Sequence, residues 1–559
     1  MMTQLATSLL CFGSLVTLSG ISSAQERATL RERRVDSLFA EFTRGTSPGV
    51  AVAVVRDGKV LLSKGYGLAS LEHRVPITPT TAFDVASVSK QFAGLAVSML
   101  VEQGKVKLTD DIRTYIPELA NVDQTITIEN LLHHTSGLRD WPGTLALAGW
   151  RMDDVISFEQ ILTMAFHQRS LNFVPGAEYA YSNTGYNLLA EVVKRVTGQS
   201  FREWTDAHLF RPLGMVNTHF RDDHTVVIPN RAFGYARAAD GRYASVTNNL
   251  TALGSSSLVS TVDDLAKWVM NFDDPKVGGG AAMARTRTRG VLNDGSTIPY
   301  AFGISHGEYR GLATVSHSGS WASFATYLVH FPQQRFGVIV LANSGNSNPT
   351  RSAHNIADIF LESELGPRAA PATPASATAV TIAPSLLERY AGIYRLGPGW
   401  YMRIRRDGLA LRAQASREAE VAMIAQSDTT FWVDSYSAPI AFARAGAGER
   451  VQLVYRGRRT PKLVEPPPKA ITQLAEFAGV YESGELQASY TVEVRDGALV
   501  MRHRRHGIIT LTHLWEDDFG SSAWFARSVE FTRDAAGGVV GFAVFVDERS
   551  RDIRFDRRR

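Results

Sequence analysis

The sequence predicts an α+β protein, in which an antiparallel sheet flanked by helices is followed by two small all-β barrel domains. Three observations predict this fold class. Strand patterns lie at both ends of residues 25–365, with helical periodicity between them. A stretch at 366–385 is rich in Ala, Pro, Ser and Thr, which is typical of a linker. Two segments with shared landmarks, 386–463 and 472–559, follow it, as expected for separate domains.

The first 24 residues are typical of a signal peptide. An apolar run from Leu5 to Ile21 is followed by small residues up to Ala24, which predicts cleavage before Gln25 and a secreted or periplasmic protein. No Lys or Arg precedes the run, and a membrane anchor is the alternative, although Thr, Ser and Gly interrupt the run. Cys11 is the only cysteine, so the mature chain would have no disulfide and no thiolate metal site.

Residues 25–365 alternate strands and helices. A hairpin is predicted in "PGVAVAVVRDGKVLLSKGYG", with strands Val50 to Val55 and Val60 to Lys64 around an Asp-Gly turn. In "KQFAGLAVSMLVEQGKV" apolar residues recur at helical spacing until Gly104 ends the run. Further helices are predicted at "NTGYNLLAEVVKRVTG" and "TVDDLAKWVMNF", and strands at "FATYLVHFP" and "RFGVIVLAN".

The two C-terminal segments indicate an internal duplication. "LLERYAGIY" matches "QLAEFAGVY", and "IRRDGLALR" matches "EVRDGALVM", with an offset of 87 to 89 residues. Each segment consists of short alternating runs separated by Asp-Gly and Gly-Gly turns, which predicts a small antiparallel barrel or meander. The net charge is only +4 and acidic residues are interleaved with the arginines, so a solvated surface is expected and no nucleic-acid partner.

Ser87 and Lys90 in "ASVSKQF" can form a nucleophile and its activating base. If Ser87 begins the helix, Lys90 lies one turn further along the same face, within reach of the serine oxygen. Burial can lower a lysine pKa enough for the amine to accept the serine proton, and a helix N-terminus suits an acyl oxyanion. The alternative is that Ser87 is only a helix N-cap, because such a tetrad occurs by chance about once in a chain of this length.

Three further stretches carry polar residues at the ends of predicted elements. Tyr181-Ser182-Asn183 lies just before a helix, and a tyrosine near a cation can share the role of general base. "HHTSG" at 133–137 forms a polar turn, and His317-Ser318-Gly319 begins a strand. Together with "ASVSKQF", these motifs resemble the penicillin-recognising serine hydrolases: class C β-lactamases, serine D,D-carboxypeptidases, D-aminopeptidases and β-lactamase-like esterases. The resemblance covers roughly residues 35–362 and implies a β-lactamase/transpeptidase-like catalytic domain.

The resemblance also implies roles for individual residues. Ser87 would be acylated, Lys90 would activate it, and Tyr181 would shuttle the proton. Asn183 would bind the substrate amide or ester side chain, and the backbone N–H groups of Ser87 and Ser320 would form the oxyanion hole. His317 would occupy the position where class C β-lactamases have the lysine of Lys-Thr-Gly. Because histidine is largely neutral at pH 7, strong β-lactamase activity is not expected, and His-Ser-Gly looks more like certain carboxypeptidases and D-aminopeptidases.

Other candidate sites carry less weight. "GISHG" matches a nucleophile elbow at Ser305, but the following residues predict turn and strand instead of the required helix. His133 and His134 lack a companion ligand set, so no metal or other cofactor is predicted. Six aromatic residues are candidates for the cleft, of which Trp321 is the strongest because it follows Ser320: Trp141, Trp150, Tyr300, Phe302, Trp321 and Phe324.

The sequence thus predicts an exported serine hydrolase that cleaves an amide or ester bond through an acyl-enzyme on Ser87. Ser87 is expected to be both the N-cap of its helix and the nucleophile, because the capping position would direct its oxygen and N–H at one carbonyl. The expected substrates are a small peptide, a D-amino-acid amide or an ester, and a D-aminopeptidase or carboxypeptidase-like activity is favoured because D-aminopeptidases resemble this layout of a catalytic domain and two barrels. One alternative is a β-lactamase-like carboxylesterase or weak β-lactamase. Another is a catalytically silent protein whose barrels contact cell-envelope polymers.

Overall fold

The computed structural model describes residues 12–119, 122–368, 382–416, 418–436, 438–443, 450–463 and 471–558. The first eleven residues of the predicted signal peptide, with Cys11, lie outside the described residues, as does most of the predicted linker. Within the described part of the chain, no helix is long and apolar enough to cross a bilayer. The described α-helices are Phe12–Leu38, Lys90–Glu102, Ile128–Leu132, Trp141–Leu147, Phe158–His167, Asn183–Thr197, Phe201–Thr205, Arg211–Leu213, Val262–Asp273, Gly279–Arg285, Pro349–Phe360 and Pro384–Tyr390.

An antiparallel sheet of six strands forms the centre of the first domain. Two of its strands come from the beginning of that domain's sequence and four from its end. Its strands, in spatial order, are Ser305–Tyr309, Leu312–Trp321, Phe324–Phe331, Phe336–Ala342, Val50–Arg56 and Lys59–Tyr66. The predicted hairpin and the two predicted late strands are all present. Strand Val50–Arg56 pairs with strand Phe336–Ala342 in antiparallel register, with Val52 opposite Val340, and this pairing joins the early strands to the late ones.

Helices cover both faces of this central sheet, which explains why its middle strands are apolar at most positions. Strand Val50–Arg56 alternates between two cores: Ala51 and Ala53 contact the layer that contains helix Val262–Asp273, and Val50 and Val52 contact the layer formed by helices Phe12–Leu38 and Pro349–Phe360. A strand buried on both faces loses the hydrophobic-polar alternation of a half-exposed strand. The prediction of an antiparallel sheet flanked by helices is confirmed.

The helix Lys90–Glu102 lies inside the first domain. Its side chains are buried on nearly every side, and Phe92 packs on the ring of Trp268 at 4.3 Å between ring centroids. Gly104, in the left-handed region at φ +68°, follows the helix as the sequence predicts. Because this helix is enclosed, the groups at its first turn are held rigidly beneath the surface of the domain.

Two eight-stranded units follow the first domain. The first barrel contains strands Gly392–Gly397, Trp400–Asp407, Ala410–Ala415, Val421–Ala425, Thr430–Val433, Ala438–Ala443, Gln452–Tyr455 and Arg458–Pro461, and a bridge between Tyr394 and Lys462 joins its two ends. The second barrel is closed and contains strands Gly479–Ser483, Ala488–Arg495, Ala498–His503, Gly507–Trp515, Asp518–Ser521, Ser528–Arg533, Val539–Phe545 and Ile553–Arg557.

The predicted duplication is visible as a repeated contact. The Tyr394 hydroxyl donates to the carbonyl of Tyr390 at 2.7 Å, and the Tyr481 hydroxyl donates to the carbonyl of Phe477 at 2.7 Å. These are the tyrosines of the matching "AGIY" and "AGVY" landmarks. In each barrel the tyrosine fastens the entering segment to the first strand.

The second barrel is docked on the helix Trp141–Leu147, which we call the plug helix. Ala146 and Leu147 belong to the apolar core of the barrel. The Tyr490 hydroxyl donates to the Leu147 carbonyl at 2.8 Å, so this carbonyl at the C-terminal end of the helix has a hydrogen-bond partner inside the barrel. The opposite end of the same helix, at Trp141, reaches the catalytic region described below, so the barrel and that region share one rigid element.

We expect Leu147→Ala to lower the free energy of unfolding by about 2–5 kcal/mol, because the side chain is fully buried in the barrel core and its removal leaves a cavity. Urea unfolding of the full chain measures the effect. The control is Val216→Ala, at a residue that is 82% exposed, which should change stability by less than about 0.5 kcal/mol. Equal midpoints for the two variants would show that the plug helix does not pack in the barrel.

Candidate active site

Ser87 lies in a short 3-10 turn, Ala86–Ser89, that runs directly into the helix Lys90–Glu102. The prediction that Ser87 is the helix N-cap is wrong, because Ser89 occupies that position and no side chain caps the helix. Ala86 has a φ of +46°, which alanine rarely adopts, and its N–H donates to the Asp84 carboxylate at 2.8 Å. The turn therefore buries both neighbours of Ser87 and leaves Ser87 half-buried at the surface of a cleft.

Lys90 is fully buried directly behind Ser87. Its Nζ contacts three acceptors: Ser87 Oγ at 3.1 Å, Asn183 Oδ1 at 2.7 Å and the Ser255 carbonyl at 2.8 Å. Burial lowers the pKa of Lys90 to about 7, with the nearby Asp140 opposing the shift and Arg549 adding to it. In the neutral amine, two N–H groups bind Asn183 and Ser255, so the lone pair is directed at the Ser87 hydroxyl.

Asn183 is held by a carboxylate that the sequence analysis missed. The Asn183 backbone N–H donates to Asp140 Oδ1 at 2.7 Å, and its side-chain Nδ2 donates to Asp140 Oδ2 at 3.0 Å. Asn183 is the first residue of the helix Asn183–Thr197, and Ser182 is its N-cap. Since Oδ1 of Asn183 is already bound to Lys90, only one N–H of the amide remains for the predicted contact with substrate.

Tyr181 brings a protonated phenol to the nucleophile. Burial raises the pKa of Tyr181 well above its usual value, and hydrogen bonding with Ser87 opposes the shift. The ring lies 4.2 Å from the ring of His134 and 4.8 Å from the Lys90 amine. His134 Nδ1 accepts the backbone N–H of Ser182 at 3.1 Å. The "HHTSG" turn therefore positions the Tyr181 motif.

His317 faces the cleft from strand Leu312–Trp321, but both of its ring nitrogens are engaged. Nδ1 lies 2.6 Å from the Ser318 carbonyl, and Nε2 lies 2.9 Å from the Tyr300 hydroxyl. This network assigns the proton to Nδ1 and makes Tyr300 the donor to Nε2. Burial lowers the pKa of His317 to about 3. His317 is therefore a neutral, fixed group at the position of the third motif, and Tyr300, predicted only as a cleft candidate, is its partner.

Gly319 allows the third-motif strand to approach the nucleophile turn. A Cβ at this position would lie 2.3 Å from the Val85 carbonyl and 3.1 Å from the Ser87 backbone nitrogen. Ser320, one residue on, is exposed and lines the same cleft as Ser87. The absence of a side chain at Gly319 thus brings the two predicted oxyanion-hole residues to one cleft.

We expect Gly319→Ala to lower kcat/KM by about tenfold or more, because the new methyl group would push the strand away from Ser87 and misplace the reacting groups. Steady-state kinetics measure the loss. Gly307→Ala is the matched control on the neighbouring strand, where the added Cβ would meet only the Thr314 hydroxyl at 3.2 Å. Similar losses in the two variants would contradict a specific role for the close approach.

The cleft has a volume of about 490 Å³. Six of the seven predicted site residues line it, and Lys90 lies buried beneath it: Ser87, Tyr181, Asn183, His317, Ser320 and Trp321. Of the other aromatic candidates, Trp141 also lines the cleft, Trp150 packs on the cluster that contains Trp141, and Phe302 and Phe324 are core residues. No carboxylate is among the described side chains that line the cleft.

Two cleft residues come from the second barrel, Trp524 and Arg549. Sequence reasoning missed them because no local motif links them to Ser87. Ser305 begins strand Ser305–Tyr309 at the edge of the central sheet, and no helix follows it, so the rejection of a nucleophile elbow there is confirmed.

A larger cavity of about 1090 Å³ meets the cleft at Tyr181 and Arg549. All three domains line it. Tyr179 and Glu178 come from the first domain, Trp400 and Glu418 from the first barrel, and the segment that contains Phe545 and Asp547 from the second barrel. Its wall combines aromatic rings with side chains of both charges.

This arrangement can perform acyl transfer. It places a hydroxyl beside an amine whose pKa is near neutrality and adds a protonated phenol. A serine beside a base of matched pKa is the usual arrangement for nucleophilic catalysis.

Comparison with known proteins agrees with this chemistry. The chain is 27% identical to a protein named D-aminopeptidase from Gluconobacter oxydans (strain 621H) over 476 residues, which are 84% of this chain and 85% of the relative. Among solved structures, the octameric penicillin-binding protein homologue from Pyrococcus abyssi has a TM-score of 0.54 at 21% identity and covers 84% of this chain and 98% of its own.

D-amino acid amidase from Ochrobactrum anthropi SV3 has a TM-score of 0.51 at 20% identity, covering 60% of this chain and 99% of its own. At such identities the two structures establish the fold alone. The sequence profile described as Beta-lactamase matches residues 35–361, more than half of the chain and all of the residues Ser87, Lys90, Tyr181, Asn183 and His317. The chain therefore belongs to the beta-lactamase family and is a serine hydrolase.

Proposed function

We propose that this serine hydrolase is a peptidase or amidase that works through an acyl-enzyme on Ser87. The observation that carries the proposal is the hydrogen bonding of the Lys90 amine, which has two acceptors besides Ser87 and is buried enough to be neutral near pH 7. An amine held in this way takes the proton of the serine hydroxyl as the oxygen attacks a carbonyl carbon.

The reaction then proceeds in two halves. The oxyanion of the first tetrahedral intermediate accepts hydrogen bonds from the backbone N–H groups of Ser87 and Ser320. The proton passes from Lys90 through the Tyr181 phenol to the leaving amine, and the C–N bond breaks. Water next attacks the acyl-enzyme carbonyl and gives its proton to the same pair. The ester C–O bond then breaks, the proton returns to Ser87 Oγ, and the carboxylic acid product leaves. Because the pKa of Tyr181 is raised, the phenol serves as a donor and relay, and Lys90 serves as the base.

The shape of the site favours a peptide-like substrate. The cleft continues into the larger cavity at Tyr181 and Arg549, and the two spaces together have room for several residues beside the scissile bond. A compact ester or β-lactam would leave most of the cavity unused. The similarity to a protein named D-aminopeptidase supports a substrate that contains a D-residue.

Release of an amino-terminal D-residue and a carboxypeptidase-like reaction are the two candidate activities. The guanidinium of Arg549 lines the cleft, but it is paired with the carboxylates of Asp140 and Asp547. Because these carboxylates offset its charge, Arg549 does not exclude a substrate ammonium, and the similarity to a protein named D-aminopeptidase favours release of an amino-terminal residue.

A substrate panel tests the proposal. N-acylated D-dipeptides with a free carboxylate, D- and L-aminoacyl p-nitroanilides, p-nitrophenyl esters and nitrocefin are compared on one protein preparation. We expect the highest kcat/KM with the D-aminoacyl p-nitroanilides, whereas faster turnover of the acylated D-dipeptides would indicate a carboxypeptidase-like reaction. Turnover of only the esters or nitrocefin would replace the peptidase proposal with a carboxylesterase or β-lactamase. The neutral His317 offers no positive charge for a β-lactam carboxylate and argues against the last of these.

A catalytically silent envelope-binding protein is the second candidate, and burial of Lys90 argues against it. Burying an amine so that its pKa falls to about 7, in spite of the nearby Asp140 carboxylate, costs folding free energy, and a binding protein gains nothing from that cost. Absence of hydrolysis together with capture on peptidoglycan would favour this candidate.

We also propose that the protein is exported and cleaved before Gln25. Such a cut leaves the part of helix Phe12–Leu38 that packs on the domain, where Val35 is fully buried and Asp36 binds Lys64 and Tyr66. N-terminal sequencing of the protein from cell-envelope fractions tests this proposal. A mature chain that begins at residue 1 or 2 would overturn it.

A further inference from the structure

A segment of the second barrel reaches the catalytic residues. This segment, residues 546–552, joins strands Val539–Phe545 and Ile553–Arg557, and we call it the barrel loop. The Arg549 carbonyl accepts the backbone N–H of Asp140 at 2.9 Å, and the Ser550 hydroxyl donates to the Asp140 carbonyl at 3.1 Å. On its other side, Asn172 binds the backbone of Arg549 and Arg551 at 2.9 Å each. The barrel loop is thus fastened to the first domain at several points.

The guanidinium of Arg549 lies against two carboxylates. It is 3.3 Å from Asp140 Oδ2 and 2.8 Å from Asp547 Oδ2. The side chain of Asp140 is almost fully buried, whereas that of Arg549 is 42% exposed where it lines the cleft. Burial raises the pKa of Asp140, and Arg549 and the amide of Asn183 oppose that rise. The arginine is therefore the cation that balances a buried carboxylate.

A continuous set of contacts leads from this pair to the nucleophile. Asp140 accepts the backbone N–H and one side-chain N–H of Asn183, and Lys90 Nζ donates to Asn183 Oδ1 at 2.7 Å. Lys90 Nζ in turn lies 3.1 Å from Ser87 Oγ. Arg549, Asp140, Asn183 and Lys90 thus form one chain of contacts. It begins in the second barrel and ends at the Ser87 oxygen.

The charge balance at Lys90 depends on this pair. The groups that face the amine or act on it across a short distance are Ser87, Asn183, the Ser255 carbonyl, the rings of Tyr181 and Tyr186, the neutral rings of His134 and His317, the Asp140 carboxylate and the Arg549 guanidinium. Asp140 favours the ammonium form of Lys90, which cannot act as a base. Arg549 offsets that effect, so the barrel loop favours the neutral amine.

We propose that Arg549 is a positioning residue through which the second barrel keeps Lys90 in its base form, by neutralising Asp140. This inference rests on the proposed role of Lys90 as the base. It makes the second barrel part of the catalytic machinery, because removal of its guanidinium would leave the Asp140 charge uncompensated beside the amine.

The experiment measures the second-order rate of inactivation by a neutral fluorophosphonate from pH 5.5 to 9.5. The probe has no carboxylate, so a contact between Arg549 and a substrate anion does not affect it. In the plot of inactivation rate against pH, the acid limb is the range in which the rate rises with pH. For Arg549→Gln in the full chain, we expect this limb to move to higher pH by about 0.5–1 unit. The rate should then be about two- to fivefold lower at pH 7 and should reach the same plateau at high pH. Arg549→Lys, which keeps the charge, should restore the original limb.

Arg554→Gln is the control, because it removes one positive charge from an exposed position of the same barrel, where Arg554 pairs with Asp552. Its limb should coincide with that of the unaltered protein. A limb that does not move in Arg549→Gln, or that moves equally in Arg549→Lys, would overturn the inference while leaving the proposed function intact. If the unaltered protein has no acid limb near pH 7 or is not labelled, the proposed function fails first. Thermal unfolding of each variant confirms that the compared proteins are folded.

Discussion

Ser87→Ala is expected to lower kcat by at least about a thousandfold and to abolish covalent labelling. The hydroxyl is the atom that the Lys90 amine contacts at 3.1 Å, and methyl cannot replace it as a nucleophile. Removal of the hydroxyl leaves the cleft and the backbone N–H groups in place, so only the residual rate enhancement from binding and the oxyanion hole should remain. Incubation with a fluorophosphonate, digestion and mass spectrometry of the peptide that contains Ser87 measure the label.

Ser305→Ala is the matched control, because Ser305 is the serine of the G-x-S-x-G pattern. It lies on the edge strand Ser305–Tyr309, outside the cleft. This variant should keep its activity within about threefold of the original, as expected for a substitution away from the reacting groups. Loss of activity in Ser305→Ala, with activity retained in Ser87→Ala, would refute the assignment of the nucleophile.

The rate of acylation is expected to rise with pH and to level off above about pH 7. The reaction needs Lys90 as the neutral amine, and burial places its pKa at about 7. Below that pH the amine is protonated and has no lone pair, so kcat/KM should fall about tenfold per pH unit. The neighbouring His317 does not account for the limb, because its pKa of about 3 keeps it neutral throughout this range.

Substitution of Lys90 separates the role of the base from that of the charge. Lys90→Met should lower kcat/KM by about 10²–10⁴-fold at every pH, which is the usual contribution of a general base. Lys90→Arg should not restore activity, because a guanidinium keeps its proton in proteins. Lys194→Met removes an exposed lysine and should preserve the profile. A flat profile between pH 5.5 and 8.5 in the unaltered protein would contradict Lys90 as the base.

The motif residues of the active site were predictable because each lies in a short sequence at the end of a regular element. Ser87 and Lys90 are three residues apart at the start of a helix, and Tyr181 and Asn183 flank the N-cap of another. Residues this close in the sequence at the start of a helix lie within one helical turn of each other in the fold. The two barrels were predictable for a similar reason, since duplicated strands and turns repeat in the sequence itself.

Asp140, Tyr300 and Arg549 carry no such signal. Asp140 lies 43 residues from Asn183, and Tyr300 lies 17 residues from His317, although each pair is joined by a hydrogen bond. Arg549 comes from another domain. These partners meet only because the plug helix, the central sheet and the barrel loop pack together. The N-cap prediction for Ser87 failed for a local reason: the contact of Ala86 with Asp84 is part of a 3-10 turn, and the helix begins only after Ser89.

By itself the sequence determined the order of the domains, the strand and helix content, and which residue types could act as nucleophile, base and proton relay. Those properties follow from local spacing and periodicity. The tertiary structure alone decided the protonation states, because these depend on burial and on charges far apart in the chain. Enclosure of Lys90 makes it a base, enclosure of His317 keeps it neutral, and the charge of Arg549 acts on Lys90 from the second barrel.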